Sequence, residues 1–180
     1  MIAEETLVKE LKQKDTQAKA FEVLIGIYKE RLYWHIRRIV LDHDDADDVL
    51  QNTFIKVFRN IDTFKGDSKL YSWMYRIGTN EALTFLKTKS RKLGVSSDEL
   101  IERKANTLEA DVYFEGDAIQ LQLQQAIARL PEKQKLVFNM KYFEELKYEE
   151  ISKILDTSVG ALKASYHLAV KKIEGFLENH

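Results

Sequence analysis

The 180-residue chain contains no cysteine, a single proline and seven glycines. The missing cysteine excludes disulfide bonds, thiolate metal sites and a cysteine nucleophile, and the scarcity of helix breakers favours long helices. No apolar run approaches the roughly 20 residues that span a membrane. The N-terminal residues do not form a signal peptide, because acids occur early and no apolar core follows. We therefore expect a cytoplasmic protein without membrane insertion.

The histidines and aspartates are poor candidates for a metal site. The four histidines lack the i, i+4 spacing of a helical site. Five aspartates lie between Asp42 and Asp48, but the glycine and the distal glutamate of an EF-hand loop are missing. Acids at a helix N-terminus are favoured by the helix dipole, which explains the cluster without an ion. We expect neither a metal nor a cofactor.

The charged residues are sorted into blocks, although the formal net charge is only −1. Between Ser96 and Asp117 seven acids face two bases, whereas segments 84–92 and 163–172 contain cations and no acids. A net charge near zero argues neither for nor against a nucleic-acid partner, so the distribution of charge is more informative.

Apolar residues recur at spacings of three and four along most of the chain, and no convincing alternating strand is present. We therefore predict an all-α protein with two small domains. A helical bundle covers residues 1–92, and a helix-turn-helix domain covers residues 117–180. The acidic residues 93–116, with weak periodicity, form a linker between the domains, with a short helix at 98–104.

Four helices are predicted in the first domain. The first covers about residues 3–14, and Thr16 caps the second. Asp44 or Asp45 caps the third, which ends near Ile61.

The heptapeptide DTFKGDS, residues 62–68, separates the third helix from the fourth. Gly66 lies at the tip of this predicted loop. Ser68 is the expected N-cap of the fourth helix, which starts near Lys69.

The fourth helix combines an apolar face with a polar, basic face, at whose edge Trp73 lies. Four residues of the polar face fall within about 60° of one another at 100° per residue: Arg76, Asn80, Lys87 and Arg91. Cations can follow phosphates, and an indole can stack on an unpaired base for roughly 1–3 kcal/mol. The pattern fits a platform for single-stranded nucleic acid. From composition alone, a packed tryptophan beside a solvated basic helix end is the favoured interpretation.

The second domain begins with the helix DAIQLQLQQAIARL. Pro131 then starts a helix that ends at Phe143, since proline is tolerated in a first turn. A short helix, Tyr148 to Leu155, is followed after about three residues by a long helix that Ser158 caps. This arrangement is typical of a helix-turn-helix.

The last helix presents a polar face opposite its apolar stripe. The members of this face are Gly160, Lys163, Ala164, His167 and Lys171. A recognition helix needs such a face, because small residues allow close approach to the major groove and lysines contact phosphate or guanine. An ordinary amphipathic helix would show the same pattern.

Two long motifs, DADDVLQNTFIKVFRNIDTFKGDSKLYSWMYRIGTNEALTFLKTKSRK and LPEKQKLVFNMKYFEELKYEEISKILDTSVGALKASYHLAVKKIEGFL, resemble a sigma factor of bacterial RNA polymerase. The chain is similar to the extracytoplasmic-function (ECF) subfamily, which keeps only the second and fourth conserved regions. The resemblance covers nearly the whole chain, in the family's order. It implies a transcription initiation factor that catalyses nothing itself.

The resemblance implies a role for each surface. The first domain would capture and melt the single-stranded −10 element through Phe64, Lys65, Gly66, Asp67, Ser68, Tyr71, Trp73, Arg76, Asn80, Lys87 and Arg91. The second would bind the double-stranded −35 element through Gly160, Lys163, Ala164, His167 and Lys171. Core RNA polymerase would contact the protein at two places. One is its flap. The other is the clamp helices of its largest subunit, which would be bound by Asp48, Gln51, Asn52 and Phe54. An anti-sigma factor is a further expected partner.

The chain departs from the family's pattern at several positions. Thr84 and Lys87 stand where aspartate and arginine are common. Ser165, Leu168 and Val170 occupy positions of the last helix where cations are frequent. These differences leave the strength and sequence of −35 binding open.

Three other functions remain open at this point. An autonomous helix-turn-helix regulator would bind duplex DNA tightly by itself, whereas a sigma factor binds strongly only with core enzyme. A metal-dependent enzyme that uses the aspartates would lose activity with a chelator. A remnant that binds polymerase but reads no promoter would not direct transcription.

Overall fold

The computed structural model describes residues 2–112 and 114–180, and all regular secondary structure in these residues is helical, which confirms the predicted all-α class. The bundle contains α1 (Glu4–Leu11), α2 (Gln17–Val40), α3 (His43–Asn60) and α4 (Leu70–Leu93). The remaining α-helices are α5 (Ser97–Asn106), α6 (Ala118–Ala128), α7 (Glu132–Tyr142), α8 (Tyr148–Leu155) and α9 (Val159–Glu178), and Ile61–Thr63 and Leu108–Ala110 form short 3₁₀ helices. None of the helices described is long and apolar enough to cross a membrane.

The N-terminal bundle forms because α2, α3 and α4 each bury an apolar stripe against the other two. Leu32 and Ile36 of α2 and Met74 of α4 are fully buried at its centre. Gly78 allows α4 to approach α2 closely, since a Cβ atom at this position would lie 3.2 Å from Cδ1 of Leu32. The bundle thereby fixes which face of α4 remains accessible.

The N-cap of α3 differs from the prediction. Asp42, not Asp44 or Asp45, caps the helix, and its Oδ1 accepts a hydrogen bond from the Asp45 N–H at 2.9 Å. Asp42 has the extended backbone that an N-cap requires, whereas Asp45 already lies within the first turn. The first aspartate of the run, Asp42, is therefore the N-cap of α3.

The N-cap of α4 also differs, because it is supplied from another helix. Lys69, not Ser68, is the N-cap residue, and its side chain makes no capping bond. The carboxylate of Glu4 instead accepts a hydrogen bond from the Leu70 N–H at 3.0 Å. The Ser68 hydroxyl bonds to the Lys69 carbonyl. Thr16 does occupy the N-cap position of α2, but its hydroxyl donates to the Glu10 carbonyl instead of capping.

The segment between the domains is more ordered than its weak periodicity indicated. The short helix expected at 98–104 is α5, which extends further at both ends. Ser96 caps α5 by accepting from the Glu99 N–H at 3.1 Å, and Leu100 and Ile101 are buried. Lys104 Nζ lies 2.8 Å from the buried Asp45 carboxylate, so this acidic segment is anchored to α3 by one of its few cations.

The C-terminal domain contains the predicted helix-turn-helix, formed by α8 and α9. Ser158 caps α9 as expected, accepting from the Ala161 N–H at 3.3 Å. Leu162, Ala169 and Ile173 are the buried residues of α9.

The two domains pack against each other, with α8 on α4 and α7 on α2. The core of the N-terminal bundle continues into the C-terminal domain through buried apolar residues of α7, α8 and the segment between them: Leu136, Val137, Met140, Leu146, Ile151 and Ile154. One surface of α4 therefore faces protein instead of open solvent.

Candidate nucleic-acid interface

The 62–68 loop lies beside the first turns of α4 and is held by contacts at Phe64. This side chain is buried, its ring centroid lies 5.4 Å from that of Trp73, and its carbonyl accepts a hydrogen bond from Lys12 Nζ at 2.5 Å. Gly66 has a φ of +81°, a backbone conformation that residues other than glycine rarely adopt. The loop therefore has a defined shape that depends on a glycine at its tip.

The loop and α4 line an open cavity of about 440 Å³. Most of the predicted −10 residues meet here, namely Phe64, Lys65, Asp67, Ser68, Trp73 and Arg76. Ser152, Lys153 and Asp156, from α8 and the residue after it, form the opposite wall. Two aromatic rings, three cations, two carboxylates and several hydroxyl groups thus line an open space.

Tyr71 is buried, unlike the other predicted aromatic contact at the start of α4. The Arg31 guanidinium lies over its ring at 4.6 Å, and its hydroxyl donates a hydrogen bond to Glu150 of α8. Burial and the neighbouring Glu150 carboxylate raise the pKa of the Tyr71 phenol. Lys69 Nζ donates to the same carboxylate at 3.1 Å.

The remaining predicted −10 residues follow α4 away from the loop. Arg76 and Asn80 are exposed and line a cleft of about 290 Å³ between α4 and the C-terminal domain. Lys87 and Arg91 are exposed further along the helix. The cations Arg76, Lys87 and Arg91 therefore follow α4 from the cleft between the domains to the exposed end of the helix.

The predicted −35 face of α9 is exposed at every position: Gly160, Lys163, Ala164, His167 and Lys171. The buried residues of α9 lie on the opposite side of the helix. Lys163 Nζ lies 5.8 Å from the ring centroid of Tyr148, in the first helix of the helix-turn-helix.

The predicted docking residues on α3 divide into two groups. Asp48, Gln51 and Asn52 are exposed, whereas Phe54 is mostly buried and packs edge-on against Phe21 at 6.1 Å. Ile55 and Phe58 lie beside them and are 43% and 37% exposed, although they are not among the predicted docking residues. Both are apolar residues on the otherwise polar side of α3. An apolar residue at such a position is the sequence signal of an exposed apolar surface.

Asp45, within the aspartate run, binds lysines. Its carboxylate lies 2.7 Å from Lys89 Nζ and 2.8 Å from Lys104 Nζ. Within residues 2–112 and 114–180, histidine, aspartate and glutamate side chains form no group of three or more that could hold a metal ion.

Comparison with known proteins identifies the family. Residues 24–92 match the family model "Sigma-70 region 2", and residues 120–173 match "Sigma-70, region 4". The chain is 33% identical to the ECF RNA polymerase sigma factor SigW of Bacillus subtilis over 170 residues, which covers 89% of each chain. The chain belongs to the ECF family of RNA polymerase sigma factors. ECF sigma factors direct RNA polymerase to promoters and are transcription initiation factors, not enzymes.

Solved structures show the same fold. The structure of CnrH in complex with the cytosolic domain of CnrY matches with a TM-score of 0.70 and 18% identity, covering 99% of each chain. The sigma factor RpoE in complex with the anti-sigma factor NepR, from Bartonella quintana, matches with a TM-score of 0.68 and 18% identity, covering 89% of this chain and 98% of that chain. These two likenesses show the fold, whereas the family models and the SigW relative confirm the predicted sigma-factor family.

Proposed function

We propose that this ECF sigma factor uses its two domains for two forms of promoter DNA. The 62–68 loop and α4 hold the unpaired −10 strand, and α9 reads the −35 duplex. The observation that carries this division is the cavity of about 440 Å³ where Phe64, Lys65 and Trp73 meet. A flipped base entering it gains an aromatic face, while its phosphates reach the cations of α4.

Docking on core polymerase is assigned to the exposed side of α3. Asp48, Gln51 and Asn52 supply polar groups, and Ile55 and Phe58 supply exposed apolar area beside them. Interfaces combine such an apolar centre with a polar rim. The partner at this surface is the clamp of the largest subunit, and the C-terminal domain contacts the flap.

Two further proposals concern location and control. Because core RNA polymerase and promoter DNA are its partners, the protein acts in the cytoplasm. A sigma factor of similar fold has been solved with an anti-sigma factor, and we assign a partner of this kind to the present chain.

Run-off transcription with purified core RNA polymerase on genomic fragments tests the proposal. We expect discrete transcripts that need both the chain and the core enzyme, and weak DNA binding by the chain alone. An autonomous regulator would instead bind duplex DNA tightly without polymerase. Failure to form a complex with core polymerase would overturn the assignment.

A further inference from the structure

The first helix of the chain contacts the 62–68 loop, although none of the residues assigned to DNA or polymerase lies on it. Helix α1 is anchored by Leu7 and Leu11, which are 2% and 1% exposed in the core of the bundle. Burial of apolar area is the main source of favourable free energy in such packing. The position of α1 therefore does not require the polar contacts that its side chains make with the loop and with α4.

Lys12, directly after α1, binds the loop at Phe64. Its Nζ donates a hydrogen bond to the Phe64 carbonyl at 2.5 Å, across 52 residues of sequence. The Phe64 ring is buried and lies 5.4 Å from the Trp73 ring, measured between centroids. Lys12 thus holds the main chain of the residue whose ring orients the indole.

Glu4, in the first turn of α1, binds the other end of the loop. Its carboxylate accepts a hydrogen bond from the Leu70 N–H at 3.0 Å. The N-cap residue Lys69 makes no capping bond with its own side chain, so Glu4 satisfies a backbone donor at the start of α4. A carboxylate at a helix N-terminus is also favoured by the helix dipole. The first turn of α4 is therefore fixed by α1.

The exposed tip of the loop lies between these two contacts. The Phe64 N–H bonds to the Ile61 carbonyl at 3.1 Å, so the chain before the tip has local support. In the part of the chain that the structure describes, residues 65–68 make no backbone–backbone hydrogen bond. Gly66, with its positive φ, adds further backbone freedom within this stretch. The tip therefore takes its position from its two ends, and α1 binds both of them.

We propose that Lys12 and Glu4 are positioning residues, which hold the loop tip in the shape that receives an unpaired −10 base. This inference rests on the proposed function of the loop and α4. Neither side chain contacts the base; both limit the freedom that the loop would otherwise lose on binding. An ordered loop binds more tightly, because apparent affinity falls with the fraction of molecules in the competent shape.

Trypsin cleavage after Lys65 in the full chain measures the order of the loop without DNA. Lys12→Met removes the ammonium group, Lys12→Arg keeps a cationic donor, and Lys9→Met is the matched control, because Lys9 is exposed on α1. We expect cleavage after Lys65 to be about ten-fold faster in Lys12→Met, since a charge-assisted hydrogen bond is lost. The other two variants should be cut at the parental rate. Equal rates in all four chains would overturn the role of Lys12, and so would faster cleavage at every site, which indicates a general loss of folding.

Binding of the complex with core polymerase to two DNA probes measures the consequence for the −10 strand. One probe is a fork with a duplex −35 element and a single-stranded −10 element, and the other is duplex throughout. Lys12→Met should bind the fork about ten-fold more weakly than the parent and the duplex with parental affinity. Lys12→Arg should recover most of the fork affinity. Equal losses on the two probes would contradict a positioning role, because a merely structural defect weakens both.

Glu4→Ala tests the other end of the loop in the same two assays. Glu5→Ala is its matched control, since Glu5 is exposed in the same turn of α1. We expect faster cleavage after Lys65 and weaker fork binding in Glu4→Ala alone. Parental behaviour of Glu4→Ala in both assays would remove Glu4 from the proposal.

The parent complex separates this proposal from the proposed function. If the parent prefers the fork to the duplex while Lys12→Met matches it in both assays, only the positioning role is wrong. If the parent binds the fork no better than the duplex, the proposed function is wrong. The positioning role then fails with it, even where trypsin shows that Lys12 orders the loop.

Discussion

The side chain of Trp73 has two roles. It is half-buried, one side of its ring packs against Phe64, and it also lines the cavity formed with the 62–68 loop. The packing orients the indole, and the cavity leaves room for an unpaired base beside it. An aromatic ring held in this way needs no large rearrangement when a base arrives.

Trp73→Ala should impair promoter opening while leaving recruitment to duplex DNA largely intact. The lost stack is worth roughly 1–3 kcal/mol, or on the order of ten-fold in activity. Run-off transcription on a closed template and on a pre-melted one measures the difference, and the variant should lose more on the closed template. The matched control is Trp34→Ala, since Trp34 is the only other tryptophan and is 44% exposed. Equal losses on the two templates would contradict a role in opening.

Some single-residue features follow from the sequence and others depend on distant partners. Gly66 at a loop tip is visible in DTFKGDS, and the structure gives it a positive φ. Glu81 falls on the apolar side of α4 in the helical pattern, where a lone acid has no explanation. Its partner is Lys56 of α3, 25 residues earlier in the chain. Only the packing of α3 on α4 reveals that pair.

At the scale of elements, α9 shows how strongly periodicity constrains a helix. Leu162, Ala169 and Ile173 are buried as their spacing predicts, so the opposite face with Lys163 and Lys171 must be exposed. What periodicity leaves open is the ligand of that face. Phosphate contacts make binding depend on salt, which gives a measurable signature.

Lys163→Ala should weaken −35-dependent recruitment and reduce the slope of log affinity against log salt by about one. The measurement is binding of the complex with core polymerase to promoter fragments over a range of salt concentrations. Lys172→Ala is the matched control, because Lys172 is exposed on the same helix and lies on the side opposite Lys163. An unchanged salt slope in Lys163→Ala would show that this lysine does not contact DNA.

Helix starts were less predictable than helix faces. The rule for N-caps predicts Ser158, which caps α9 in the structure. Ser96 caps α5 in the same way, although it was not among the predicted caps. The rule fails for α4, whose first N–H is bonded by Glu4, 66 residues earlier. Local sequence patterns contain no information on a cap that arrives from another helix.

For the whole molecule, the helical class and two helical domains follow from composition and periodicity, whereas the packing of the two domains against each other does not. The pairs that hold it join His35 to Glu144 and Tyr71 to Glu150, which are 109 and 79 residues apart. Nothing in the sequence distinguishes any of these four residues from an ordinary side chain that is solvated or hydrogen-bonded to a near neighbour. Their pairing depends on the docking of α8 on α4. The sequence predicts both domains but contains no pattern that indicates how they dock.

The contact between α8 and α4 should depend on pH through Glu150. Burial by itself raises the pKa of this carboxyl, but hydrogen bonds from the Tyr71 hydroxyl, the Lys147 N–H and Lys69 Nζ together lower it from 4.5 to about 2. The groups facing this contact include Glu4, which acts on Lys69. A depressed pKa means that the folded chain binds fewer protons than the unfolded chain. The stabilisation is therefore present above pH 4.5 and is lost as the pH falls towards 2.

Urea unfolding of the wild type and of Glu150→Gln between about pH 6 and pH 2.5 measures this contribution. The wild type should be more stable at the upper end, and the difference should shrink as the pH falls, because protonation of Glu150 removes the charge that glutamine already lacks. Glu144 also has a lowered pKa, owing to His35 and Arg38 acting against its burial, but it is present in both chains and cancels in the comparison. A difference that stays constant over the whole range would show that the charge of the Glu150 carboxylate does not contribute to the free energy of unfolding.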